Sequence, residues 1–195
     1  MGERAQAGGL PIGVVLGAVG VTTGWFVESA RRLEAAGYAG IWSWDHFVSR
    51  GVKTDPILEA WTTLTATAMV TDRVTVGSFV TNVMNRHPAV LARMLATLQE
   101  ASGGRVVLGI GIGGHPAEHQ AYGIDFPPPA ERARHLEEAV AVIRALWGGG
   151  PVTRPSDLYP LREAYAYPVP VPVPPILIGA GTPAGASMPH QMMPS

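Results

Sequence analysis

The chain has 195 residues, of which 47% are hydrophobic and 15% are charged, a composition typical of one globular domain with a sizeable core. Its 14 Lys and Arg residues nearly balance its 15 Asp and Glu residues, so the net charge of −1 argues against nucleic acid as a partner. The lack of cysteine excludes disulfides, thiolate metal sites and cysteine nucleophiles, and no apolar run is long enough to cross a membrane, so we expect a cytoplasmic protein.

Short apolar runs in the sequence predict five β-strands, at Ile12–Leu16, Ile41–Trp44, Val74–Val80, Val106–Ile112 and Ile176–Ile178. Most of these runs are continuously apolar, which is typical of parallel strands buried on both faces. Amphipathic patterns between them predict four helices, at Trp25–Ala36, Leu58–Val70, Ala89–Ala101 and Ala130–Trp147. The first four strands begin about 30 residues apart, which is the length of a βαβ unit.

Helix-capping residues agree with this pattern. Asp55-Pro56 and His87-Pro88 are typical helix starts, and Gly37, Gly103 and Gly148 stand where helices should end. Repeated βα units fit either an open doubly wound sheet or an eight-stranded barrel, and the spacing favours neither.

The segment from Gly148 to Pro174 breaks the repeat because it is dominated by proline, glycine and tyrosine. Prolines at alternate positions lack the amide hydrogens that an internal strand needs. We expect a surface connection here, with an insertion over an active-site mouth as the alternative. The last ten residues have no periodicity, so we expect one α/β domain over residues 1–185 and an unstructured tail over residues 186–195.

The strongest candidate for chemistry is the pair Asp45 and His46, at the carboxyl end of the second predicted strand, where parallel folds carry their ligands. His46 can donate or accept a proton near neutral pH, and Asp45 could fix its tautomer or contact a cofactor ring. A simple capped turn is the alternative. Nothing nearby has the spacing of metal ligands, so we expect no metal.

Three further strand ends carry candidate ligand groups. Gly109, Gly111 and Gly114 match G-x-G-x-x-G, but His115-Pro116 follows directly and no acidic residue closes a strand about 20 positions later. We therefore expect these glycines to let a flat ligand approach rather than to form a dinucleotide fingerprint. Thr81 and Asn82 could bond the edge of a heterocycle or simply form a turn. The Gly179–Pro183 loop offers amides and a hydroxyl suited to a phosphate.

The other histidines are not expected to be catalytic. His87 reads as a helix cap, His119 as part of a polar turn and His135 as a helix-surface residue.

Five strings occur in one order between Pro11 and about Gly185: GIWSWDHF, VTVGSFVTN, NRHPAVLARMLATLQEASGGRVVLGIGIGG, AYGIDFP and PPILIGAGTPAG. Together they resemble the luciferase-like monooxygenase superfamily, and within it the oxidoreductases that use the deazaflavin coenzyme F420. The resemblance implies a (β/α)8 barrel and hydride transfer to or from a small organic substrate. The alternative is a monooxygenase that uses FMN and oxygen.

The same resemblance implies roles for individual residues. His46 would exchange a proton beside the cofactor ring, with Asp45 next to it, and a non-prolyl cis peptide joining Ser78 to Phe79 would support the ring. Thr81 would bond the ring edge. Gly114 stands where the family has an acidic residue, and Glu118 is the nearest substitute. Cofactor phosphate contacts are implied for Gly179, Gly181 and Thr182.

The chain departs from the family after TPAG, where members continue into a basic helix and two further βα units but this sequence reads ASMPHQMMPS. We therefore expect an incomplete barrel that lacks its last strands. Such a barrel exposes two sheet edges, which favours pairing into a homodimer. A truncated and inactive product is the alternative.

Overall fold

A computed structural model describes residues 10–180, so Gly181, Thr182 and the predicted tail over 186–195 lie outside the described residues. The elements in chain order are β1 (Gly13–Val15), α1 (Thr23–Ala35), β2 (Gly40–Ser43), α2 (Ala60–Ala68), β3 (Thr75–Ser78), β4 (Thr81–Asn82), α3 (Pro88–Ala101), β5 (Val106–Gly111), α4 (Pro116–Tyr122), α5 (Pro129–Trp147), β6 (Val152–Arg154), β7 (Leu161–Ala164) and β8 (Ile176–Gly179). A 3-10 turn at Val83–Asn85 follows β4.

The main sheet is parallel, with strand order β1-β2-β3-β5-β8, and β4 extends the line of β3 and also pairs with β5. Spatial order therefore follows chain order without reversing. A doubly wound sheet reverses at a switch point, whereas a barrel does not, so the sheet is an arc of a barrel. The predicted incomplete barrel is confirmed. Within residues 10–180 this arc contains five strands.

The two faces of the arc differ in residue size. The outer face, towards the helices, carries large aliphatic side chains that are fully buried, such as Ile41, Val76 and Leu108. The inner face carries glycines, and a Cβ added at Gly40 or Gly77 would meet the indole of Trp42 at 3.0 or 2.6 Å. Large side chains therefore cover the outer face, whereas glycines on the inner face leave room for the Trp42 indole.

The second helix and the region before α5 differ from prediction. Helix α2 begins at Ala60 and not after Asp55-Pro56, because the carboxylate of Glu59 accepts from the amides of Trp61 and Thr62 at 3.2 and 2.7 Å and forms the cap. Helix α4 was missed, since the glycine run before it looks like a loop. Its start was nevertheless signalled by Pro116 at the first helical position.

The proline-rich connection forms an antiparallel hairpin, β6 and β7, on the outer side of α3 and α5. Two contacts fix the turn between these strands to the helices. The Tyr159 ring packs against His87 and His135, and Arg154 forms an ion pair with Glu138. The connection runs over the helix surface, as expected, and not over the carboxyl ends of the strands. None of the helices within residues 10–180 has the length and apolar character needed to cross a bilayer.

Candidate active site

The carboxyl ends of β2, β4, β5 and β8 surround one cavity of about 570 Å³. Residues from all four strand ends line it, including Trp44, His46, Phe79, Val80, Gly114 and Gly179. The strand ends that the sequence singles out therefore border one cavity.

His46 is held by a carboxylate that comes from a distant segment of the chain. Its Nδ1 lies 2.9 Å from Oε1 of Glu118 on α4, and the amide of Phe47 donates to Oε2 at 3.0 Å. An ionised carboxylate can only accept, so the proton of a neutral His46 ring resides on Nδ1. Because the ring lines the cavity, Nε2 is the nitrogen left to exchange a proton with a ligand.

Glu118 is ionised at neutral pH. Its burial raises the pKa, but the hydrogen bond from His46 and the amides of Phe47 and Val48 outweigh this effect and hold the pKa below the ordinary value of 4.5. The side chain of Glu118 is 0% exposed, whereas that of His46 is 27% exposed. Glu118 therefore stands behind His46, where its carboxylate orients the ring.

His115 adds a second ring beside the same carboxylate. Its Nδ1 lies 3.9 Å from Oε2 of Glu118, and its ring centre is 6.1 Å from that of His46. The buried Nδ1 has no hydrogen-bond partner within residues 10–180.

Asp45 does not orient His46, which corrects the first expectation for this pair. Its carboxylate forms two 2.8 Å bonds to the guanidinium of Arg86 and accepts from the amide of Asn82 at 3.0 Å. Arg86 also reaches Glu59, the cap of α2, at 3.2 Å. Although burial lowers the pKa of Arg86, the two carboxylates raise it by more. Asp45 lines the cavity, but its charge is already paired and fixes the end of β2.

The non-prolyl cis peptide joins Phe79 to Val80, so the expected position at Ser78–Phe79 is one residue too early. Ser78 and Thr81 lie behind the cavity wall and are fully buried. The Ser78 hydroxyl donates to the Gly109 carbonyl at 2.7 Å, and Thr81 Oγ1 accepts from the Trp61 indole at 3.1 Å. The Thr81 side chain points towards helix α2, because side chains alternate along a strand. Its hydroxyl therefore does not face the cavity.

Glycines on β5 and β8 make room for the Val80 side chain at the cavity floor. A Cβ at Gly111 or Gly179 would lie 3.1 or 2.9 Å from a Val80 methyl group. At Gly114 an added Cβ would meet nothing within 4 Å, so the space above it is open to a ligand. The residues present therefore fit a planar heterocycle lying across the ends of β3 to β8.

His119 is buried and is not on a polar turn, contrary to the expectation. It lies on α4 next to Glu118, and its Nε2 is 2.8 Å from Nδ2 of Asn82. The same helix thus supplies Glu118 towards His46 and His119 towards Asn82. No group of three or more His, Asp or Glu side chains suited to a metal ion occurs in the described part of the chain.

A sequential parallel barrel arc with a histidine beside a cavity at the strand carboxyl ends defines a protein of the (β/α) barrel class. Within that class the chain belongs to the luciferase-like monooxygenase family, whose family model matches residues 14–189. The match covers most of the chain and includes the whole arc except the first residue of β1.

Relatives of this chain include an F420-dependent glucose-6-phosphate dehydrogenase from Amycolatopsis mediterranei, which is 35% identical over 163 residues covering 82% of this chain and 48% of the relative. A solved F420-dependent secondary alcohol dehydrogenase, in complex with an F420-acetone adduct, aligns with a TM-score of 0.84 at 29% identity over 90% of this chain and 54% of that one. An FMN complex of a Baeyer-Villiger monooxygenase from Pseudomonas putida aligns at 20% identity, with a TM-score of 0.70 over 86% of this chain and 51% of that one, and shares the fold. The chain spans about half the length of the relatives that it matches.

Proposed function

We propose that this chain is an oxidoreductase that uses coenzyme F420 to move a hydride to or from a small organic alcohol or carbonyl compound. The observation that carries this proposal is the His46–Glu118 pair beside a cavity with glycines at its floor. Curated relatives at about 35% identity that are named as F420-dependent support the same conclusion. A bound deazaflavin supplies a hydride-accepting carbon, where a flavin has a nitrogen and can also react with oxygen.

The cavity floor is the part that suits the cofactor ring. Phe79 and Val80 form its base, Gly111 makes room for Val80, and Gly114 leaves the space above it clear. Gly179 begins the loop that we assign to the cofactor phosphate. Gly181 and Thr182 belong to that same proposed loop and lie outside the described residues.

His46 supplies the proton chemistry. In alcohol oxidation Nε2 accepts the hydroxyl proton while the carbon of the substrate loses a hydride, and in carbonyl reduction the same nitrogen returns the proton to oxygen. Glu118 stabilises the imidazolium that forms, because its charge lies 2.9 Å from Nδ1. Asp45 cannot take this role while both of its oxygens bond Arg86.

Titration of the purified chain with F420 and with FMN, followed by absorbance and by an oxygen electrode, tests the proposal. We expect F420 to bind and to be reduced by a secondary alcohol without oxygen uptake. Failure to bind F420 would contradict the proposal, and FMN binding with oxygen uptake would establish the monooxygenase alternative.

A pair of matched variants tests the assigned residue. His46→Ala should abolish alcohol-dependent F420 reduction and leave F420 binding in place. The control is His135→Ala, which removes a histidine that bonds Tyr159 at 2.8 Å on α5, away from the cavity. Equal turnover in the two variants would remove His46 from the mechanism.

We also propose that the chain forms a homodimer in the cytoplasm. Strands β1 and β8 each lack a partner on one side within residues 10–180, and such edges favour pairing with another chain. Sedimentation velocity at several concentrations tests the dimer, and cell fractionation tests the location.

A further inference from the structure

A second cavity lies beside the first, between the loop after β1 and the loop after β2. Its volume is about 440 Å³, and its aliphatic walls are Val19, Val48 and Ile57. Three residues line both cavities, namely Trp44, His46 and Arg50, so the two cavities meet at these side chains. The proton-exchanging ring is therefore accessible from both sides.

Backbone hydrogen bonds between the two loops hold this cavity open. The amide of Leu58 donates to the carbonyl of Ala18 at 3.0 Å, and the amide of Gly20 donates to the carbonyl of Pro56 at 2.8 Å. An antiparallel bridge between Val19 and Ile57 lies between these bonds. The cavity is thus a preformed site built from paired backbone, and not a gap between independent loops.

Arg50 gives this site its charge. No hydrogen bond or ion pair engages its guanidinium within residues 10–180, and none of the cavity-lining residues is a carboxylate that could neutralise it. Other arginines near the strand ends are engaged, such as Arg86 with Asp45 and Arg132 with the Ile112 carbonyl. A free guanidinium at the rim of an apolar cavity suits an anionic group on a ligand with an apolar body.

We propose that the second cavity binds the substrate, and that this substrate is an amphiphile whose apolar body fills the cavity while an anionic head pairs with Arg50. This inference rests on the proposed function and names its substrate class. The reacting carbon of the substrate then lies beside His46, where the two cavities meet and where it can reach a cofactor bound in the first cavity.

The cofactor phosphate has a different place in the arc. The Gly179 loop follows β8, three strand spacings from β2, which corresponds to about 14 Å along the sheet. Arg50 follows β2. Arg50 lines both cavities, and because the Gly179 loop stands at the other end of the arc, we assign the guanidinium of Arg50 to the anion of the substrate and the Gly179 loop to the cofactor phosphate.

Calorimetric titration without cofactor tests the inference, using octanoate, octyl phosphate and the neutral octanamide as probes. We expect octanoate to bind at least tenfold more tightly than octanamide. Arg50→Met should remove this preference and leave octanamide affinity unchanged. The matched control is Lys53→Met, which removes an exposed charge from the same loop outside both cavities and should preserve the preference. Tighter binding of octyl phosphate than of octanoate would identify the head as a phosphate, and the reverse as a carboxylate.

A further variant and a cofactor measurement locate the site. Val48→Trp should fill the cavity and weaken octanoate and octanamide alike, with an unchanged melting temperature as the check on folding. Equal affinity for octanoate and octanamide in the parent, or equal losses of octanoate affinity in Arg50→Met and Lys53→Met, would overturn the inference. So would weaker F420 binding in Arg50→Met with octanoate affinity unchanged. A chain that prefers octanoate but fails to reduce F420 would refute the proposed function alone.

Discussion

The replacement of Glu118 by glutamine tests the orientation of His46 directly. Glutamine has almost the same volume, but only one of its two polar atoms can accept. The amide of Phe47 donates to Oε2 at 3.0 Å, so the glutamine oxygen should stay there and turn its NH2 group towards His46 Nδ1. That nitrogen must then accept a hydrogen bond. The ring proton moves to Nε2, and the nitrogen that faces the ligand can no longer take a proton from an alcohol.

The size of the effect follows from two contributions. Restoring the productive tautomer costs about 1 kcal/mol, the value of one ordinary hydrogen bond, and the lost charge contact to the imidazolium costs about 2 kcal/mol. Together they correspond to a decrease in kcat of roughly 10²-fold, since 1.36 kcal/mol is a factor of ten. Because the His46 ring is 27% exposed and partly solvated, we expect the free energy of unfolding to fall by only about 1.5 kcal/mol.

Nitrogen-15 NMR of the histidine rings at pH 8 is the decisive assay, because it reads the tautomer without requiring turnover. The parent should show a protonated Nδ1 and Glu118→Gln a protonated Nε2, while the F420 Kd stays the same. Glu138→Gln is the control, since Glu138 pairs with Arg154 away from the cavity. Retention of the parent tautomer, or turnover within threefold of the parent, would refute the reasoning.

Three further predictions concern stability and the cavity floor. Glu34→Ala removes a buried carboxylate that accepts from three amides before β3, including that of Val74 at 3.0 Å, and should lower the free energy of unfolding by about 3 kcal/mol in urea titrations at pH 7. Burial raises the pKa of Glu34, but these amides lower it by more, so the pKa lies below 4.5. The difference in unfolding free energy between parent and variant should therefore shrink as the pH falls below 4.5. A difference that stays constant with pH would contradict this assignment. Gly109→Ala places a methyl group against a strand carbonyl and should lower the melting temperature strongly, whereas Gly114→Ala should leave it unchanged but weaken F420 binding. Arg105→Lys should lower the free energy of unfolding by about 2 kcal/mol, because a single ammonium cannot replace the bonds from three guanidinium nitrogens. Thermal unfolding measures this loss, and an unchanged melting temperature would show that those bonds contribute nothing.

The parallel strands and their helices could be predicted because each has a local signal. Continuous apolar runs marked β2 and β5, and the proline after His87 marked the start of α3, whose His87 side chain accepts from the amide of Ala89 at 3.2 Å. The choice between open sheet and barrel could not be made from residue spacing, because strand order depends on contacts between segments far apart in the chain. The family resemblance supplied that choice, and the observed order β1-β2-β3-β5-β8 confirmed it.

The partners of the site residues were harder to predict than the residues themselves. His46 and Asp45 were both found from their position after a strand, but adjacency in sequence suggested that they bond each other. Both residues lie just after the end of β2 and line the same cavity, but their side chains have different partners. Asp45 meets Arg86, and His46 meets Glu118, 72 positions later. Glu118 was proposed from the resemblance alone. Its role depends on helix α4, which was not predicted because the glycine-rich run before it is typical of a loop.

The contact between α4 and the end of β2 allows the orientation of His46 and the shape of the neighbouring cavity to vary independently. The carboxylate that sets the protonation of His46 belongs to one segment, while the aliphatic lining next to that ring comes from the β1 and β2 loops. On the proposed function, mutations at Val19, Val48 or Ile57 should change which substrates bind without changing the contact between His46 and Glu118. Libraries confined to those three positions should thus yield altered selectivity at little loss of intrinsic reactivity.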